Sequence, residues 1–247
     1  NTSHFSTKTH DAIGRLISVT DNVGTIYYNY YTFENKLKTK ITTLSGEVIT
    51  ETDKYERQVL LSDPDAGNIE YVHNSIGELI YQKDAKGKEF EMTYDKLGRL
   101  ETKIGEEGTT EYFYDTRTFG KGMLSSITNY NGLETNYFYD NFGRVSSISK
   151  TIEEENYTTA YEYDIFGRVT EISYPSEFAI KQYYNTRGYL TEITRADNNE
   201  SIWKLDNFNN HNQITKYTLG NNMQINNTYD NYGFPLKTYS NDNIIDR

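Results

Sequence analysis

The chain contains no cysteine and only three prolines in 247 residues. The lack of cysteine excludes a disulfide scaffold, a thiolate nucleophile and a zinc site with cysteine ligands. The sequence has no run of apolar residues long enough for a membrane-spanning helix, so no membrane span is predicted. Basic residues are also in deficit, and the formal net charge is −11. Because an acidic chain repels phosphates, nucleic acid is not an expected partner.

Aliphatic side chains are scarce as well. Leu, Ile, Val and Phe together make up 53 of the 247 residues, a share that borders on the composition of disordered chains. The 24 tyrosines raise the apolar share to that of a folded chain, because each can bury a large ring while its hydroxyl finds a partner. The composition therefore predicts a folded protein whose core is made of tyrosine rings.

The motif Tyr-Asp-x-x-Gly-Arg recurs along the chain, as in YDKLGRL at residues 94–100 and YDIFGRV at residues 163–169. In three degenerate copies Asn35, Glu56 and Asn210 take the glycine place, and the spacing between copies is 21 to 24 residues. A catalytic site needs to be present once, whereas a fixed period is typical of a repeat array. The motif glycines are Gly14, Gly77, Gly98, Gly122, Gly143, Gly167, Gly188 and Gly233.

A second series of glycines lies about ten residues after the first, so each period contains two turns. Glycine is expected at these places because it adopts positive φ without a Cβ clash. Pro64 and Pro175 also fall in the second turn. The second series consists of Gly24, Gly46, Gly67, Gly87, Gly108, Gly132 and Gly220.

The segments between turns alternate in polarity, as half-buried β-strands do. In EFEMTYD, Phe90, Met92 and Tyr94 share one face. After the motif glycine, aliphatic residues stand at +2 and +5, as Val145 and Ile148 do. This three-residue step leaves two interpretations open: a β-bulge lies between the two residues, or they face opposite sides.

The sequence thus predicts an all-β array of about ten antiparallel β-hairpins of 21 to 24 residues. Because sheets twist, the array is expected to be a curved β-strip. A propeller fits less well, because its blades require a period of roughly 40 residues. The open sheet edges of such a strip are expected to allow self-association.

The motifs Tyr94-Asp95…Gly98-Arg99-Leu100 and Tyr163-Asp164…Gly167-Arg168-Val169 resemble the YD repeats of the Rhs family, and the resemblance covers essentially the whole chain. It implies a single YD-repeat array at residues 1–247, which opens on NTSHF without methionine and is expected to be a fragment of a longer protein. In that family the strip spirals into a hollow shell. The shell encloses a toxic domain in bacterial toxin complexes and polymorphic toxins, and a similar barrel serves adhesion in teneurins.

The resemblance therefore implies a partial spiral shell, a structural wall segment of a secreted or bacterial cell-surface protein. The implied partners are the flanking repeats and a cargo domain of the parent protein. An alternative is a carbohydrate-binding or adhesion module that uses exposed tyrosines on the sheet. A shell is expected to hide most tyrosine rings, whereas a sugar platform would leave a coplanar pair exposed.

The charged residues of the motif have a structural interpretation because they are repeated. The aspartates Asp95, Asp140, Asp164 and Asp230 are expected to accept hydrogen bonds from turn N–H groups. The arginines Arg15, Arg99, Arg144 and Arg168 are expected to pair with an aspartate of a neighbouring hairpin.

No other group of residues suggests chemistry. The four histidines, His4, His10, His73 and His211, form no metal-ligand motif. DPDAGN at residues 63–68 resembles part of a calcium loop, but it lacks the closing glutamate and is interpreted as a turn. We therefore predict no catalytic, cofactor-binding or metal site, no cofactor and no enzymatic activity.

Overall fold

The computed structural model describes residues 6–33 and 36–240, and within these ranges the chain forms β-strands and turns without any helix. No helix in this part of the chain is therefore long and apolar enough to cross a membrane. The strands are β1 (Thr7–His10), β2 (Leu16–Thr20), β3 (Thr25–Phe33), β4 (Lys36–Thr42), β5 (Glu47–Thr52), β6 (Gln58–Asp63), β7 (Gly67–His73), β8 (Leu79–Lys83), β9 (Glu89–Tyr94), β10 (Leu100–Gly105), β11 (Gly108–Tyr114), β12 (Leu124–Thr128), β13 (Glu134–Tyr139), β14 (Val145–Ile152), β15 (Glu155–Tyr163), β16 (Val169–Ser173), β17 (Ala179–Tyr184), β18 (Leu190–Arg195), β19 (Ser201–Phe208), β20 (Ile214–Leu219), β21 (Gln224–Tyr229) and β22 (Pro235–Ser240).

The chain divides into two compact units. The first comprises Asn1–Phe113 with Ile127–Gly132, and in it strands β1 to β11 pair antiparallel in chain order. The second comprises Tyr114–Ser126 with Leu133–Arg247, and in it strands β13 to β22 pair in the same way. The predicted all-β array of antiparallel hairpins is confirmed.

Each unit has turns of two kinds, at opposite ends of its strands. We call the turn that follows the motif tyrosine the YD turn, and the turn at the other end of the strands the return turn. A return turn is as short as two residues at 153–154, between β14 and β15. The expanded motif forms a longer YD turn at residues 115–123. The five-residue YD turns lie at residues 11–15, 53–57, 74–78, 95–99, 140–144, 164–168, 185–189, 209–213 and 230–234.

All eight motif glycines adopt positive φ, from 75° at Gly98 and Gly143 to 98° at Gly77. Glu56, which was predicted to replace glycine, has the same conformation with φ 64°. The assignment of Asn210 was wrong, because the residue with positive φ in that turn is Asn212, at 60°. Asn35 lies outside the described residues.

The second glycine series is more mixed. Five of its seven members adopt positive φ, but Gly24 and Gly220 do not. In the turn that contains Gly220, Asn222 takes the left-handed conformation instead, with φ 65°. Gly220 is required for a different reason: a Cβ there would lie 2.8 Å from the carbonyl oxygen of Ser201, because the two backbones approach closely.

The bulge interpretation of the +2 and +5 aliphatic residues is correct. In the hairpin β13–β14, Tyr139 pairs with Val145 and Phe138 pairs with Ser147, so Ser146 is the extra residue. Ile148 then pairs with Tyr137, which places Val145 and Ile148 on the same face of the sheet. Equivalent register shifts occur at all nine five-residue YD turns.

The expected tyrosine core is only partly realised. Ile225 is the one hydrophobic residue that is fully buried in the described part of the chain, and the motif tyrosines are half-buried. The reason is architectural, since among the described residues of each unit a strand contacts only the strands next to it in the chain. Such a sheet has no second layer of the same unit to cover its faces, so the stabilising contacts run between neighbouring hairpins.

Candidate functional site

The aspartate of the YD turn caps the turn from within, as predicted. Asp95 Oδ1 accepts hydrogen bonds from the N–H groups of Leu97, at 2.8 Å, and Arg99, at 3.0 Å. The Gly98 N–H donates to the Asp95 carbonyl at 3.0 Å, which closes the turn. The same pattern recurs around Asp140, Asp164 and Asp230.

The predicted partner of the motif arginine was wrong. Arg99 pairs with Asp95 of its own turn, with Nε and Nη2 both 2.7 Å from Asp95 Oδ2. The turn folds the chain so tightly that residues four apart come side by side, while Oδ1 is already engaged by the backbone. Arg15, Arg144 and Arg168 pair with their own aspartates in the same way. Arg57 does so with Asp53, and it was missed because its turn lacks the glycine.

These hydrogen bonds favour the ionised carboxylate. The side-chain hydrogen bond from Arg57 lowers the pKa of Asp53 to about 2, against the weaker opposing effect of burial. At Asp95 the largest effect that lowers the pKa is the backbone hydrogen bond from Arg99. The carboxylates of Asp53 and Asp95 are thus held in their charged form by the turns that they close.

The guanidinium group that pairs with the aspartate of its own turn also contacts the next hairpin. The Arg144 guanidinium carbon lies 4.4 Å from the centroid of the Tyr163 ring, and its Nη1 donates to the Asp164 carbonyl at 3.3 Å. Arg168 lies 4.6 Å from the ring centroid of Tyr184. Cation–π contacts of this kind are worth about 0.5–2 kcal/mol. Each such arginine therefore joins its own turn to the following one.

The motif tyrosine completes the link in the opposite direction. The Tyr163 hydroxyl donates to the Val145 carbonyl of the preceding hairpin at 2.7 Å, and burial raises the pKa of this hydroxyl. The ring and the hydroxyl thus contact the same neighbour. Equivalent bonds run from Tyr30 to Leu16, Tyr94 to Leu79, Tyr139 to Leu124, Tyr184 to Val169 and Tyr229 to Ile214, at 2.6 to 2.9 Å.

Two turns without arginine use other side chains in its place, and in one of them the side chain also reaches the next hairpin. Gln213 takes the arginine place, accepts from Asn209 at 2.8 Å, and donates from Nε2 to the Gly233 carbonyl at 2.7 Å. In the turn at residues 74–78, Asn74 Nδ2 donates to Glu78 Oε2 at 2.6 Å. The bond between the first and the last side chain of the turn therefore does not require a pair of opposite charges.

The remaining candidates are spread over separate hairpins. His10 and His73 occupy tyrosine places in β1 and β7, His211 lies at the tip of a YD turn, and His4 lies outside the described residues. Asp63 caps its own turn through the N–H groups of Asp65 and Ala66, as the turn interpretation requires. No group of three His, Asp or Glu side chains arranged to hold a metal occurs in residues 6–33 and 36–240.

The rings of Tyr174 and Phe178 lie in a return turn, with centroids 6.0 Å apart and planes 19° apart. They stack on each other rather than lying side by side as a platform for a sugar. The carbohydrate-binding alternative stays a prediction.

The recurring YD turn and its contacts to the next hairpin define the class of protein. It is an all-β repeat protein whose hairpins are joined by one recurring turn. The profile of the family described as Teneurin YD-shell matches residues 50–177. The chain therefore belongs to the Teneurin YD-shell family, and the resemblance to YD repeats drawn from the motifs is confirmed. Its role is that of a structural shell segment. A search of curated protein sequences found no match.

Solved structures of toxin complexes are similar in fold. TcdB2–TccC3 matches at 14% identity with a TM-score of 0.64, over 96% of this chain and 17% of that one. TcdB2–TccC3–Cdc42 matches at 14% identity with a TM-score of 0.65, over 98% and 17%. The Tc holotoxin pore of Photorhabdus luminescens matches at 13% identity with a TM-score of 0.62, over 96% and 16%. The chain thus spans about a sixth of the length of these relatives, and likeness at such identity shows the fold alone.

Proposed function

We propose that this chain is one continuous YD-repeat array, residues 1–247, and a passive stretch of the wall of a β-shell. The shell belongs to a longer, secreted or surface-displayed bacterial protein. In that protein it encloses or presents a cargo domain that this chain does not contain. The segment has no catalytic activity and no cofactor of its own, and its partners are the flanking repeats and the cargo.

The observation that carries the proposal is how the charged motif residues are used. Asp140 and Arg144 close one turn, and Arg144 then contacts Tyr163 and Asp164 of the next. The same use recurs from turn to turn, so the charges that would be candidates for catalysis are engaged in joining hairpins. A wall needs repeated cohesion along its length, and these recurring contacts supply it.

The cargo and the secreted location rest on the family and on the toxin complexes of similar fold. The proposal extends from those proteins to this chain because the fold match covers nearly its whole length.

Limited proteolysis of the full parent polypeptide tests the enclosed cargo. We expect a segment outside the repeats to resist protease in the wild-type protein and to become cleavable in Arg144→Glu and Arg168→Glu. These substitutions place a carboxylate beside Asp140 and Asp164 and remove the contacts to the next hairpin. Glu162→Gln, at an exposed site on β15, is the matched control and should leave protection unchanged.

Uniform digestion of every segment outside the repeats in the wild-type protein would contradict enclosure. Retention of the full polypeptide in the cytoplasm under native expression would contradict the secreted location.

A further inference from the structure

Gly105 is a glycine that the repeat does not explain. It belongs to neither of the two glycine series, and its φ lies outside the left-handed region, so the backbone there does not require glycine. It is the last residue of β10 and pairs with Gly108, the first residue of β11. A glycine in a strand often marks a place where a ligand or another group approaches the backbone closely.

A cleft of about 370 Å³ is lined by this pair of glycines, open to solvent and formed by residues of the first compact unit alone. Aromatic side chains flank the pair. A Cβ at Gly105 would lie 3.2 Å from the Phe90 ring, and a Cβ at Gly108 would lie 2.8 Å from the Cβ of Tyr130. The floor of the cleft is therefore bare backbone, and side chains at either glycine place would displace the aromatic residues beside it.

Tyr130 gives the cleft an aromatic surface for a ligand. Its side chain lines the cleft and is 52% exposed. The hydroxyl donates a hydrogen bond to the Glu107 carboxylate, which raises the pKa of this hydroxyl. The residue is thus held at both ends, at its Cβ by the backbone of Gly108 and at its hydroxyl by Glu107. A ring that is already held in place loses little freedom when a ligand binds.

Groups that donate and accept hydrogen bonds surround this ring. The Lys103 Nζ lies 4.3 Å from the centroid of the Phe90 ring, a cation–π contact that keeps the ammonium group at the cleft. The Asn129 side chain, which also lines the cleft, offers both a donor and an acceptor. The cleft therefore combines an exposed aromatic ring with polar groups of both kinds.

The charges of the lining favour a neutral ligand. Lys88 and Lys103 are balanced by Glu106 and Glu107, so the lining residues have no formal net charge. An anion bound in the cleft would meet both carboxylates, and a cation would meet both ammonium groups. A neutral molecule with an apolar face and several hydroxyl groups matches the cleft better, because each hydroxyl can both donate and accept.

We propose that this cleft binds a neutral saccharide, with one sugar ring stacked on Tyr130 and its hydroxyl groups bonded to Lys103 and Asn129. The C–H groups on one face of a sugar ring contact an aromatic surface, and the hydroxyl groups at its rim need the polar partners that the cleft supplies. The volume lies at the lower end of the range for ligand pockets, which suits about one or two sugar units. The site goes beyond the proposed wall role, because a wall segment needs no ligand.

Saturation-transfer difference NMR with the 247-residue chain tests the proposal. We expect at least one of glucose, galactose, N-acetylglucosamine, maltose and lactose to bind with a Kd of about 1 mM or below. Gluconate and glucosamine, which are charged, should bind about tenfold more weakly than the best neutral sugar. In the protein, the amide resonances of Gly105, Gly108 and Tyr130 should shift on binding.

Two substitutions test the cleft itself. Tyr130→Ala removes the ring but keeps the Cβ that contacts Gly108, and it should weaken binding about tenfold. Gly105→Ala places a Cβ 3.2 Å from the Phe90 ring, so that ring and the Lys103 ammonium group above it must move and binding should also weaken. The matched control is Tyr27→Ala, because Tyr27 is 53% exposed and lies outside the cleft. Its binding should equal that of the wild type, and far-ultraviolet circular dichroism checks that each variant is folded.

The methyl glycoside of the best sugar distinguishes the two sources of such a ligand. Its methyl group blocks the reducing end, as the remainder of a longer glycan would. Binding equal to that of the free sugar would support recognition of a glycan end, and binding of the free sugar alone would support recognition of a free saccharide.

Three results would overturn the inference. The first is that none of the five neutral sugars binds up to about 10 mM. The second is equal binding by Tyr130→Ala and the wild type, which would place the sugar elsewhere. The third is tighter binding of gluconate or glucosamine than of every neutral sugar, which would indicate an ionic site. None of these results bears on protease protection of the cargo, so failure here is distinct from failure of the wall proposal.

Discussion

Replacing Tyr184 by phenylalanine isolates the contribution of its hydroxyl to the link between hairpins. The Tyr184 hydroxyl lies 2.8 Å from the Val169 carbonyl of the preceding hairpin and also 2.8 Å from Gln182 Oε1. Phenylalanine keeps the ring beside the Arg168 guanidinium, whose central carbon is 4.6 Å from the ring centroid. Only the hydroxyl is lost, so the packing and the cation–π contact of the ring are the same in the variant and in the wild type.

The expected loss follows from the value of such a bond. A neutral hydrogen bond contributes about 0.5–1.5 kcal/mol, and leaving a half-buried acceptor unsatisfied costs about 1–3 kcal/mol. We expect Tyr184→Phe to lower the free energy of unfolding by about 1–2 kcal/mol. Urea unfolding should therefore show a lower midpoint with an unchanged m-value, because the surface that unfolding exposes stays the same.

The neighbouring residue provides the control. Tyr183 is 43% exposed on the other face of β17, so Tyr183→Phe should change the free energy of unfolding by less than about 0.5 kcal/mol. Equal midpoints for Tyr184→Phe and wild type would refute the hydroxyl link. Equal losses for the two variants would show that any tyrosine hydroxyl has this effect.

Three further predictions concern the turns and their titration. Gly167→Ala places a Cβ at φ 80° and should cost about 1 kcal/mol, whereas Glu56→Gly relieves φ 64° and should raise the melting temperature. Because the folded pKa of Asp53 is lowered to about 2, its contribution to stability is present above its unfolded pKa of about 3.9 and is lost as pH falls toward 2. Asp53→Asn should therefore show a shallower acid dependence of the urea midpoint, and an equal slope would count against the pair. Burial raises the pKa of Tyr163 and Tyr184, so stability present below pH about 10 should fall as pH rises through the folded pKa. Ultraviolet titration that gives the same pKa for these tyrosines as for the unfolded chain would contradict this.

The repeat could be predicted from the sequence because the interactions that define it are local. A glycine that stands four residues after a tyrosine and directly before an arginine indicates a turn in which this glycine is left-handed. Gly98 and Gly143 have this conformation, and it does not depend on the rest of the fold. The aspartate cap was predictable for the same reason, since Asp95 bonds to backbone N–H groups two and four residues later. Two-residue alternation in EFEMTYD indicated which side chains share a face, and the structure has that pattern in β9.

The tertiary structure decided where the chain departs from its own consensus and which groups meet between hairpins. The register of β13–β14 resolved the +2 and +5 step as a bulge, since only pairing shows which residue is extra. Gly220 proved to be a place of close backbone approach, a property of two strands rather than of one turn. The Tyr163 hydroxyl reaches a carbonyl 18 residues earlier in the chain. Local sequence sets the turn, but a contact over that distance depends on strand register, and register is a property of the paired sheet.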